Sequence, residues 1–173
     1  RHKVKRRHGM NKETVIDNPQ LNILSGVQPT YLASLFPEDA WTSGLGRRLF
    51  MVYSSESPRQ KVFSKQKTSK ELRGSLLTAL GEMSMLWGCM AWEDEAANRI
   101  EQWNEVRDND APTHSKLQYY KTSRLEFALK LAIASSVARS RQDLTIRLED
   151  IERSLGWMLE AERLMPDIFR AMV

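Results

Sequence analysis

At Ser64 the spacing of apolar residues changes, and this change limits the possible folds more than any other feature of the chain. Beyond it the apolar residues recur at steps of three and four, the period of a helix with one covered face. Leu72, Leu76, Leu80, Met83, Trp87 and Met90 form one stripe, and Trp92, Ala96, Ile100 and Trp103 a second. Asp108–Thr113 reads as a loop. Leu125, Ala128, Leu129, Ala132, Ile133 and Val137 form a third stripe; Leu148, Ile151, Leu155, Met158 and Leu159 form a fourth. The methionines and tryptophans of these stripes are expected in a core, and Cys89, inside the first, is expected buried and inert.

Before Ser64 the apolar residues form short runs instead: Leu21–Leu24, bounded by Asn18-Pro19 and Gly26, and Leu49–Tyr53, preceded by Gly44 and Gly46. A continuous apolar run of this length predicts a strand covered on both faces, as in a parallel sheet. Between them Pro29–Phe36 predicts a short helix with proline in its first turn, stopped by Pro37. The expected fold is therefore an α/β fragment over 1–63 and a helical domain over 64–173, mostly helical overall. Two strands cannot make an independent parallel sheet. The chain also starts at Arg1 rather than at a methionine, so it reads as a piece of a longer protein, its missing strands upstream or on a partner.

Composition narrows the function classes. With 41% hydrophobic residues the 173-residue chain can bury a core, and no run of about 18 uncharged apolar residues exists to span a membrane. The single cysteine excludes a disulfide framework and any multi-cysteine metal site, and a reducing compartment is the default expectation. Residues 1–8 carry five Lys/Arg and no acid, which leaves one net negative charge on the rest of a chain whose total is +4. Such a cluster suits contact with nucleic-acid phosphates, and equally suits a solvated tail.

Self-contained catalytic patterns are absent: no Gly-x-Ser-x-Gly, no His-Glu-x-x-His, no paired-cysteine zinc spacing and no Gly-x-x-x-x-Gly-Lys-Ser/Thr loop. His2, His8 and His114 lie scattered in polar context and read as surface residues, so no metal site is expected. What remains are polar groups at the ends of the expected strands: Ser25 and Gln28 after the first, Arg47 and Arg48 before the second. Ligands of open α/β sheets gather at such strand ends. Two arginines beside a buried strand call for an anion or a carboxylate, and a structural ion pair satisfies that need equally well.

The order of these features resembles the C-terminal half of the P-loop ATPase core of phage and plasmid replication helicases, similar at motif level to the MCM-type hexameric helicases. The segments that carry the resemblance are the basic arm Arg1–Arg7 with a turn over Gly9–Thr14, the segment Leu21–Pro29 as sensor strand, and Gly44–Tyr53 as arginine-finger segment. Two more are Ser123–Ala132 as the lid helix bearing the sensor 2 arginine, and Ile146–Ser154 as the last lid helix. They span nearly the whole chain. Gly46 stands where serine is common, and Gln28 where the MCM proteins carry asparagine.

The resemblance implies a ring of identical subunits that hydrolyses ATP with Mg²⁺ and moves along DNA, the main nucleotide-binding loop lying outside this chain. Arg47 would be the finger that reaches a neighbour's nucleotide and Gln28 would orient the attacking water. Arg124 would contact nucleotide from the lid. Lys3, Lys5, Arg6 and Arg7 would grip DNA. Strand alternation would turn Arg47 and Arg48 to opposite sides. The implied location is a bacterial host cytoplasm. The rival reading is a non-catalytic nucleic-acid-binding or assembly module, with a phage DNA-packaging ATPase as a variant of the first class.

Overall fold

The computed structural model describes residues 2–4, 14–16, 21–42, 44, 46–56, 59, 69–139 and 143–172. Its elements are β1 (His2–Val4), β2 (Thr14–Ile16), α1 (Pro29–Leu35), α2 (Glu38–Thr42), a 3-10 turn (Gly46–Arg48) and α3 (Lys70–Ser84). These are followed by β3 (Ala91–Trp92), α4 (Asp94–Val106), 3-10 turns at Ser115–Leu117 and Tyr120–Ser123, α5 (Arg124–Arg139), β4 (Thr145–Ile146) and α6 (Leu148–Arg170). The chain is mostly helical, as its spacing predicts. No described helix is long and apolar enough to cross a membrane.

The body is α4, α5 and α6, with α5 packed most extensively on α6. α6 has 23 residues, about 35 Å of helix, and its inner face runs Ile151, Leu155, Met158, Glu162, Met165, Phe169 at steps of four and three. Against it lie Phe127, Ala128 and Ala132 of α5 and Ala96, Ile100 and Trp103 of α4. The alanines let the helices approach closely, and the large side chains of α6 fill the space between. A two-residue parallel pair, Ala91 beside Thr145 and Trp92 beside Ile146, ties the segment entering α4 to the one entering α6.

Where α6 starts, Asp150 is fully buried and takes several donors. The backbone N–H of Arg147 donates to it at 3.0 Å, the Arg139 guanidinium at 3.0–3.3 Å and the Ser135 hydroxyl at 3.2 Å. Burial pushes its carboxyl up; the Arg139 and Arg147 hydrogen bonds outweigh that, so it stays charged below its ordinary range. One side chain thus caps α6 and fastens it to the end of α5.

Three expectations need correction. Neither apolar run before Ser64 is a strand. Leu21, Ile23 and Leu24 are exposed, and no described strand pairs with them to supply the backbone partners a strand needs. Leu49, Phe50 and Met51 pack against the helical core, Phe50 with its ring 5.3 Å from that of Phe127. Their apolar run reflects docking onto helices; the expected boundary at Ser64 lies outside the described residues. The third correction is α3. It forms where the spacing predicts, with Ser69 Oγ accepting the Leu72 N–H, yet it buries no residue. Leu72, Leu76, Leu77 and Leu80 are each more than half exposed; Met85 and Trp87, beyond the helix end, are more so, and Cys89 is exposed too.

Asp150→Asn removes a buried charge that Arg139 needs, at an expected cost of about 2–3 kcal/mol near neutral pH and a fall in melting temperature of about 5–10 °C. The folded carboxyl titrates below the unfolded one at about 3.9, so its contribution is present above that pH and is lost as pH falls through the folded value. Melting curves from pH 7 to pH 2 should converge for the two proteins at the acidic end; a constant offset would show that the charge is not the cause.

Candidate functional site

Trp41 sets the geometry of the arginine-bearing turn. It is 2% exposed and sits edge-on to Phe36 at 5.5 Å and to Phe169 at 5.3 Å, so α2 is pinned to the far end of α6. Lys116 lies 5.8 Å above the same ring and pairs with Glu38 at 2.6 Å. The next turn then passes directly over Trp41. A Cβ on Gly46 would stand 2.7 Å from the Trp41 carbonyl oxygen and 3.2 Å from its Cα, closer than backbone atoms allow. Glycine at this position is therefore a packing requirement, and serine would collide.

Beyond Gly46, Arg47 and Arg48 are exposed. They lie in a 3-10 turn, not at a strand entrance, and consecutive residues of such a turn do not alternate between faces. Both guanidinium groups lean back over Gly44: its Cβ position lies 3.1 Å from Arg48 Nη1 and 3.8 Å from Arg47 Nε. The expectation that the two arginines point to opposite sides is corrected by this arrangement. The turn rests on the 3-10 turn Tyr120–Ser123 that feeds α5. Glu126 in the first turn of α5 feels both charges. Lys130, bonded to it at 2.6 Å, holds its carboxyl below the ordinary range, and Arg48 and Arg47 push the same way.

Arg124 has a different setting. It is fully buried and forks onto Glu162, Nε to Oε1 at 2.8 Å and Nη2 to Oε2 at 2.7 Å. Its guanidinium carbon lies 5.3 Å from the centre of the Trp103 ring. The Tyr120 hydroxyl donates to Glu162 at 2.9 Å; burial, and then the adjacent carboxylate, drives that phenol's pKa far up, so it remains a donor. Glu162 was not among the residues the sequence singled out. Its signal is an acidic residue at an inner-face position of α6, where a charge requires a partner.

Gln28 precedes α1 with extended backbone; its carbonyl accepts the Tyr31 N–H, and its exposed side chain does not cap the helix. The expected trio thus occupies unlike surroundings: Gln28 and Arg47 in solvent, Arg124 sealed in the interior. β1 pairs antiparallel with β2, Lys3 beside Val15, so His2–Val4 of the basic arm form a strand. Lys5, Arg6 and Arg7 lie outside the described residues, as does His8. His114 is not a free surface residue: it is half-buried, stacks on Phe169 at 4.4 Å and accepts the Lys116 N–H. Among the described residues no group of three His, Cys, Asp or Glu could hold a metal ion. No family model, curated protein or solved structure matches the chain.

Two variants separate positioning from interior support. Gly46→Ala should destabilise the protein by about 1–3 kcal/mol, because Trp41 backbone must move to admit the methyl group; thermal melting reads it directly. Arg124→Ala strands a buried carboxylate and should cost about 3–5 kcal/mol, whereas Arg124→Met with Glu162→Leu should cost much less. If the double variant melts no higher than Arg124→Ala, the pair's charge is not what Arg124 supplies.

Proposed function

We propose that the chain is part of a ring-forming, ATP-driven DNA helicase or translocase of the kind used in phage or plasmid replication. The observation that carries this reading is the exposed arginine turn, held rigidly on a helical body by Trp41 and Gly46 and not engaged by any ion pair of its own among the described residues. An arginine presented outward from a fixed support suits action across a subunit boundary, where it meets the charge on a phosphoryl group bound by the neighbour and contributes about 10³–10⁵ in rate. ATP and Mg²⁺ are held by a phosphate loop outside this chain. Gln28, exposed beside α1, is the group that orients water in this reading, and the basic arm grips the DNA backbone. Arg124 takes no part, because its side chain is fully buried with Nε and Nη2 on Glu162.

The assembly-module reading has one observation of its own, the uncovered leucine face of α3. The DNA arm is tested first. In anisotropy titrations with labelled single-stranded DNA, replacing Lys3, Lys5, Arg6 and Arg7 by alanine should weaken binding to all sequences alike. The slope of log affinity against log salt should fall by about three, four charges at roughly 0.7 each. An unchanged slope overturns the role of the arm and with it the translocase reading.

A further inference from the structure

We propose that α3 of one copy of this chain docks in the groove between α4 and α5 of a second copy. Leu72, Leu76 and Leu80 lie on one face of α3 at steps of four, and each is more than half exposed. The body carries an uncovered apolar surface of matching form. Trp92, Ile100, Leu125 and Leu129 line an open groove of about 270 Å³, with the polar Glu101 and Asn104 beside them. Ile133, 43% exposed, continues the stripe of Leu125 and Leu129 by one more turn of α5. The groove is smaller than an ordinary small-molecule site of about 300–1,000 Å³, and suits the side chains of a docked helix instead.

Charge favours α3 as the occupant. α4 carries four acidic residues and one arginine, a net charge of −3. Arg73 stands at the edge of the leucine face of α3, three residues before Leu76 and seven before Leu80. Neither Arg73 nor Glu101 has an ion pair among the described residues, so each can take the other as its partner. Within one chain α3 does not enter the groove. Its link to the body is short, Met85–Met90, and anchored: Gly88 takes φ +133° beside Leu144, Met90 packs on the core, and the Ala91 N–H donates to the Leu144 carbonyl at 2.7 Å. A helix held off its own groove, yet matched to it in apolar character and charge, meets the groove of another copy. The contact joins two unlike surfaces, so it repeats from copy to copy as a closed ring or an open chain. It does not rest on the translocase reading, because neither nucleotide nor DNA enters it.

Light scattering on the full chain, over a range of concentrations, reads the association directly. One fifteen-residue helix in a groove makes a small interface, so the mass should rise with concentration. Leu76→Glu should leave the chain monomeric with its melting temperature unchanged, since Leu76 is not buried within the chain. Arg73→Glu and Glu101→Arg should each weaken association about tenfold. An equal mixture of the two should recover it, because every contact between unlike variants then pairs opposite charges. A mass that stays monomeric at every concentration overturns the proposal. So does Glu101→Arg without effect, the result expected if α3 pairs with α3, and so does a mixture that recovers nothing. A lowered melting temperature in Leu76→Glu with no change in mass would place α3 in the groove of its own chain and overturn it as well. The DNA titration above reports on the translocase reading separately, so either idea can fail without the other.

Discussion

A guanidinium and a carboxylate taken out of water each cost several kcal/mol, and the interior returns that cost only when their geometry is close to ideal. Arg124 and Glu162 meet this condition with a two-pronged contact, and the Tyr120 hydroxyl occupies a remaining lone pair of the carboxylate. The pair joins the first residue of α5 to a residue two-thirds of the way along α6. That fixes the sliding register of the two helices at this end. Tyr120 belongs to the turn on which the arginine segment rests. The same carboxylate therefore sets the position of α5 and of the surface beneath Arg47 and Arg48.

A second buried carboxylate performs the equivalent task at the opposite end of the α5–α6 pair. Asp150 fixes the start of α6 against the end of α5 through Arg139. With one ion pair near each end, the two helices are held at two separated points, and rotation about either is blocked by the other. Trp41 can then use the far end of α6 as a rigid wall, through Phe169, and Gly46 can use Trp41. A rigid arginine turn is thus the last step of a chain of supports that begins with buried charge.

Much of this was legible in the sequence. The helical stripes mark α4, α5 and α6, and Pro29 with Pro37 brackets α1 within a residue. The buried charges were not read from the sequence: Glu162 falls on the inner-face spacing of α6, but spacing along one helix carries no information about what a neighbouring helix presents. Of the two misread runs, the second has its cause in the packing. Leu49–Met51 is apolar because helices cover it, and continuous apolarity does not distinguish a strand in a sheet from a strap across helices. Likewise the reading of Arg47 and Arg48 as divergent followed from the strand assignment and lapsed with it.

α3 shows what periodicity reports and what it omits. Leu72, Leu76, Ala79 and Met83 recur at steps of four, three and four, the spacing of a seam that another helix covers. Fifteen residues stand at the lower limit for a helix in water even with favourable composition, and α3 includes Gly74 and Gly81, each unfavourable by about 1 kcal/mol relative to alanine. Neither glycine has a neighbouring atom within 4 Å of a Cβ position, so neither is there to admit a close contact with the rest of this chain. A helix of that length and composition gains most of its stability from packing, yet its leucines stay exposed. Its amphipathic pattern therefore marks a face that no described residue covers, whereas the stripe of α6 marks one completed within the chain.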